Sequence, residues 1–236
     1  MRLSLLVKLH VMNRAKDYGC SYPKNLNEVI SNKIPKDMLG DHKLFFLGIM
    51  DIMGKTLNAS SSIPHFIFLN SEWAAELAFN SKPIVTSSLR MTIGHELTHQ
   101  ENDYSIFGTR KYFNKENKMF TNWVNEIHAD FAGAQKAYKS DIRNQASQST
   151  EYKRKRKAER IKDKASFSHP SWEDRLDYIK HFDFNEKLIR DIATKTKCMD
   201  ETLINDVINH FEPIILDATG TTTDNFYSQL DNDMDV

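Results

Sequence analysis

Val85, Leu89, Ile93 and Leu97 recur every four residues after Pro83. That repeat is the core side of an amphipathic helix, which Ser87 or Ser88 can cap and which extends to about Glu101. Polar residues are built into the same helix: His95, Glu96 and His99 stand in the order His-Glu-x-x-His. On a helix, His95 and His99 lie one turn apart and project from the same face. Glu96 is rotated about 100° from His95, beside whatever the two imidazoles hold.

Only eight Gly and six Pro occur in 236 residues, and 40% of the chain is hydrophobic, so a folded, helix-rich chain is expected. The run from Leu3 to Val11 does not decide between helix and strand. Asn25 opens a short helix that stops near Pro35, and Lys43 to Leu57 reads as a second, more buried helix. After Pro64, His65 to Asn70 is the clearest strand, since aromatic and β-branched residues stand between turn formers. Gly108 to Lys118 reads as a loop. Phe120, Trp123, Val124, Ile127, Phe131 and Ala134 then mark a helix of about five turns, with Gly133 and Ala134 permitting close packing. Helical spacing resumes from Trp172 to Ile179, and two further helices fit between Leu188 and Leu216 before a polar tail. The expected class is mainly α with a small β-sheet (α+β). It divides into an N-terminal helical segment (1–59), a catalytic core (60–182) with a basic insertion at about 150–165, and a C-terminal helical segment with a flexible tail (183–236).

Lys plus Arg and Asp plus Glu balance at 32 each, which leaves no global field to recruit nucleic acid or an anionic membrane. The dense basic stretch from Tyr152 to Lys164 reads as a solvated helix face or mobile insertion. Cys20 and Cys198 lack metal-knuckle or redox spacing and are expected as thiols. Lys8, His10 and Arg14 interrupt the first apolar run, so no signal peptide is read. Leu44 to Met53 is far shorter than the roughly 20 residues of a membrane span. A soluble, cytoplasmic chain without membrane spans is expected.

Two histidines at this spacing can grip one zinc ion, and Glu96 can act as general base on a metal-activated water. A catalytic zinc takes three protein ligands and keeps one open position, so a third donor is required. Asn102 and Ser105 stand where a metzincin would need Gly and His, which places that donor farther on. Glu126 and Asp130, again one turn apart, supply it. Glu126 offers a carboxylate oxygen to the metal, and Asp130 accepts the free N–H of a ligand histidine. His128 is a rival ligand but points roughly 160° away from Glu126 around the helix.

Farther on, Ser168-His169-Pro170-Ser171-Trp172-Glu173-Asp174-Arg175 opens a helix with Pro170 near its start and acids following. The three segments in this order resemble the gluzincin family that contains the CAAX prenyl proteases and the HtpX-type proteases, over roughly Ser60 to Lys180. The resemblance implies a zincin-like fold, one Zn2+ per chain on His95, His99 and Glu126, and a protein or peptide substrate. It also implies that His169 donates to the oxyanion and that Arg175 orients the carboxylates around the metal. The best-known members span membranes, whereas this chain resembles soluble relatives. The implied function is a zinc-dependent metalloendopeptidase. Alternatives are an ImmA-like regulatory peptidase that cuts one repressor, and a non-catalytic zinc-stabilised scaffold. Phe66, Ile67 and Phe68 are candidates for holding an extended substrate by backbone hydrogen bonds. The apolar segment from Asn205 to Leu216 is a candidate for folding over the cleft.

Overall fold

The computed structural model describes residues 3–40, 46–50, 57–106, 114–158 and 163–217. The chain opens with α1 (Leu5–Arg14), α2 (Leu26–Ser31) and α3 (Asp37–Gly40), followed by β1 (Phe46–Met50), β2 (Ala59–Ser60) and β3 (Phe66–Asn70). Helices α4 (Ser71–Phe79), α5 (Pro83–Asn102), α6 (Lys115–Ala137), α7 (Ile142–Ala158), α8 (Trp172–His181), α9 (Glu186–Thr196) and α10 (Glu201–His210) complete it. The molecule is mainly helical with a small mixed sheet, as the composition implies.

The sheet has the order β1-β3-β2, with β1 parallel to β3 and β2 antiparallel to it. Residues 46–50 are therefore a strand, not part of the expected helix from Lys43 to Leu57. The rest of that stretch lies outside the described residues except Leu57. Phe46 pairs with Phe66 and Met50 with Asn70, a non-local parallel register that local apolar content does not encode. At the N-terminus, the Ser4 hydroxyl accepts from the Val7 amide and fixes α1, with Val7 and Val11 buried one turn apart.

Helix α5 starts earlier than a serine cap would allow. Pro83 takes the first helical position, where its missing N–H is of no consequence. Ser88 lies buried inside the helix, and the Ser87 hydroxyl meets Tyr138 and Ser149 instead. Helix α6 also starts earlier, capped by Asn114, so Lys115 to Lys118 are helical rather than loop, while 107–113 lie outside the described residues. Helix α4, which begins directly after β3, has no counterpart among the sequence expectations. It is buried on nearly all sides by Trp73, Ala74, Ala75 and Leu77, and it also buries Glu72 and Glu76.

These carboxylates are met by side chains from distant elements. Glu72 receives Arg14 at 2.9 and 3.2 Å and His10 at 3.0 Å, all from α1. Glu76 receives Tyr18, Tyr152 and Asn80, and Arg156 at 2.7 Å. Tyr152 and Arg156 belong to the basic stretch, which up to residue 158 is part of α7; Lys153 is buried there as well. Within its helical part the stretch thus packs Tyr152, Lys153 and Arg156 against the fold while Lys155 stays exposed, and 159–162 lie outside the described residues.

One continuous apolar core runs from Leu3 to Leu216. Leu203, Val207, Phe211, Ile214 and Leu216 are part of it, and Phe184 and Ile214 exchange backbone hydrogen bonds. The segment from Asn205 to Leu216 thus packs into the core and does not cover the cleft. The tail beyond 217 lies outside the described residues. Cys20 is exposed, Cys198 is buried, and both are free thiols. Among the described residues, no helix is long and apolar enough to cross a membrane.

Candidate metal centre

Helices α5 and α6 cross with their backbones in contact at Gly94 and Gly133. A Cβ on Gly133 would stand 2.5 Å from the His95 amide nitrogen, and one on Gly94 would run into the Gly133 carbonyl oxygen. The absence of both side chains lets short residues bridge the two helices next to this point. His95 and Asp130 meet there, with Nδ1 3.0 Å from Oδ1. The ionised carboxylate can only accept, so Nδ1 carries a proton and Nε2 points out of the other side of the ring.

His95 Nε2 faces two further groups able to ligate a metal. His95 Nε2 is 2.9 Å from His99 Nε2, and each is 3.5 Å from a Glu126 carboxylate oxygen. The three ligand atoms lie within 4.8 Å of one another. Tetrahedral zinc with bonds of roughly 2.0–2.1 Å needs ligand atoms about 3.3 Å apart. Two imidazole nitrogens 2.9 Å apart, with Glu126 Oε2 3.5 Å from His95 and Oε1 3.5 Å from His99, match that requirement in chemistry and come close to it in spacing.

The outer groups are as specific. Arg175 from α8 binds Asp130 through two hydrogen bonds of 2.5 and 2.6 Å, and its Nη1 is 3.4 Å from Glu126. Burial favours a neutral Asp130, but the guanidinium charge and the His95 hydrogen bond hold its carboxyl well below the usual range. Glu126 behaves alike: burial is outweighed by hydrogen bonds from His169, His95 and His99. His169 lies at the mouth with Nε2 3.2 Å from Glu126, while Ser168 Oγ stands 2.7 Å from its Nδ1. Glu96 is buried and lines the same cavity.

Sequence reasoning missed Asp103, whose Oδ1 is 2.7 Å from His99 Nδ1. Each ligand histidine is therefore oriented by its own carboxylate. The i,i+4 spacing from His99 to Asp103 was the available signal, although Asp103 is the residue just beyond the helix end. Lys153 was missed as well; it lines the cavity, and burial lowers its pKa to about 8.

One expectation holds and another changes. His128 does point away from Glu126, into an aromatic nest with ring centroids 4.4 Å from Phe211 and 5.1 Å from Phe184. Burial lowers its pKa to about 3, so it is a neutral core residue. Phe66, Ile67 and Phe68 lie on the middle strand rather than an edge, with β1 alongside all three and β2 alongside Phe68. The strand beside the cavity is β2, whose neighbourhood from Leu57 to Ser62 lines it.

The cavity has a volume of about 880 Å3. That lies within the roughly 300–1,000 Å3 of small-ligand clefts. Its walls join the β2 region, α5, α6, α7 and the segment running into α8, so five parts of the sequence converge on one open pocket. Comparison with protein-family models, with curated proteins and with solved structures finds no match to this chain.

Proposed function

We propose that this chain is a zinc-dependent metalloendopeptidase, of the gluzincin type that its motif order resembles. The observation that supports the reading is the convergence of His95 Nε2, His99 Nε2 and the Glu126 carboxylate, the nitrogens 2.9 Å apart and each 3.5 Å from a different carboxylate oxygen, beside an open cavity that Glu96 also lines. A structural zinc site would be closed by four protein ligands; three ligands facing a cavity suit catalysis.

His95, His99 and Glu126 would hold the zinc, which when bound would supply Lewis acidity for a scissile carbonyl and an attacking water. Glu96 is placed to accept a proton from the attacking water and return it to the leaving amine. Asp130 keeps the His95 proton on Nδ1, and Arg175 keeps Asp130 ionised and in place. Asp103 does for His99 what Asp130 does for His95. His169, with Nδ1 beside Ser168, presents Nε2–H at the cavity mouth to the oxyanion that forms as water adds to the peptide carbonyl.

The test is the metal content of the purified protein together with cleavage of a denatured protein mixture. One zinc per chain and chelator-sensitive cleavage are expected, with Glu96→Gln retaining zinc and losing cleavage. A metal-free chain whose thermal stability ignores chelator would instead support a scaffold. Full cleavage by Glu96→Gln would remove the general-base role.

A further inference from the structure

Lys153 is the least explained charge in the molecule. It is 6% exposed, its neighbours Tyr152 and Arg156 are engaged with Glu76, and its side chain lines the cavity. Among the described residues its ammonium makes no hydrogen bond and no ion pair. Its one specific contact is the Trp172 ring, whose centroid is 4.9 Å from Nζ. The same ring packs against the Arg175 guanidinium at 4.3 Å, so Trp172 ties Lys153 to the metal centre's outer groups.

A buried ammonium gives up its hydration, and a partner normally compensates for it. Two of the carboxylates nearby are already committed, Asp130 to Arg175 and His95 and Glu126 to the three histidines, and the third, Glu96, makes no ion pair with Lys153. The local charge count points the same way. Glu96, Glu126 and Asp130 are three buried negative groups, opposed by the two buried cations Arg175 and Lys153. A divalent metal reverses the balance and leaves one positive charge uncompensated. Lys164, exposed on the cavity rim, adds to that field.

We propose that Lys153 forms a subsite for a substrate carboxylate, so that the enzyme acts on peptides presenting a carboxylate beside the scissile bond. The carboxylate comes either from a free C-terminus or from an acidic side chain. This inference rests on the metallopeptidase reading, because the metal creates the charge that the carboxylate balances. Trp172 would form the apolar wall beside it, and Lys164 would draw the anion in.

Binding can be separated from turnover by using the zinc-loaded Glu96→Gln protein. It is titrated with three alanine-rich peptides of one length: one capped at both ends, one with a free C-terminus, and one capped but carrying a single internal Asp. At least one carboxylate peptide should bind about tenfold or more tightly than the neutral one, as for a desolvated charge pair. A gain confined to the free C-terminus assigns that source, and a gain confined to Asp assigns an acidic side chain. Adding Lys153→Met should erase the difference, whereas Lys153→Arg should keep most of it. Thermal midpoints are recorded alongside, and Lys153→Gln provides a second neutral variant should the first not fold. Equal binding of all three peptides, no binding up to millimolar peptide, or a preference that survives Lys153→Met would overturn the subsite. Zinc-dependent cleavage by the wild-type chain without carboxylate preference removes the subsite alone; a chain that holds no zinc or cleaves nothing removes the peptidase reading as well.

Discussion

Glu76 and Glu126 are both buried glutamates in helix interiors, and both have depressed pKa values despite burial. Their surroundings differ in kind. Glu76 is enclosed by two phenols, a guanidinium and an amide, all of them donors, and it does not line the cavity. Glu126 shares its space with imidazoles whose Nε2 atoms converge, and it opens onto the cavity. Burial of a charge is thus shared by a structural clamp and a candidate metal centre. What separates them is whether the polar atoms around the charge are satisfied among themselves or leave acceptors directed at a common point.

The sharpest way to test that contrast is to neutralise one carboxylate in each region. Glu96→Gln at the open site should lower peptide cleavage by roughly 100- to 10,000-fold while the thermal midpoint stays unchanged, the usual scale for a lost general base. Glu76→Ala at the closed site should do the reverse. Losing one partner of a buried ionic cluster destabilises by about 3–5 kcal/mol in chemical unfolding, and the fraction still folded should keep its specific activity. Similar activity losses per folded molecule in the two variants would erase the distinction.

The outer carboxylates grade the open site itself. Asp130→Asn and Asp103→Asn should weaken zinc binding within a range of about 10- to 100-fold in competition with a chelator. Asp130, fully buried under Arg175, should fall at the upper end. Asp103, whose side chain is 39% exposed, should fall at the lower. A reversed order would mean that solvent exposure does not set the strength of these contacts.

Acid gives the smallest and most selective effect. The Glu76 pKa lies below its ordinary 4.5 because hydrogen bonds from Tyr152 and Tyr18 and the Arg156 charge outweigh burial. A depressed carboxylate stabilises the fold above its ordinary pKa and loses that contribution as pH falls through the folded value. The urea midpoint should therefore drop below about pH 4.5, and the drop should be shallower in Glu76→Gln. Parallel curves for the two proteins would remove Glu76 as a source of acid sensitivity.

The contrast also separates what a sequence reading reaches from what it does not. His95, Glu96, His99, Glu126 and Asp130 sit at one-turn spacings on two strongly periodic helices, and the structure brings them together at the α5–α6 crossing. The strand at Phe66–Asn70 was equally legible from its aromatic and β-branched content. The closed cluster was not, because Tyr18, Glu76 and Arg156 are far apart in sequence and nothing local marks them as partners. Strand β1 was misread for a related reason: five apolar-rich residues suit either state, and the decision belongs to a parallel partner twenty residues away. Asp103 and Lys153 were passed over because one lies past a helix end and the other inside a run of charge that reads as solvent-facing.

The contact between Gly94 and Gly133 limits how this protein can vary. Most packed pairs have more than one solution, since a larger residue on one side can be matched by a smaller one opposite. Here each position needs the absence of any side chain, because the obstacle to a Cβ is the partner's backbone. Gly94→Ala or Gly133→Ala should destabilise by about 1–3 kcal/mol in thermal unfolding, beyond the gain alanine ordinarily brings to a helix. No compensating change across the contact should restore the loss. The neighbouring histidines and carboxylates could be exchanged for other ligand sets over evolutionary time, but the two glycines form a lock with a single key, and any descendant that keeps this crossing must keep both.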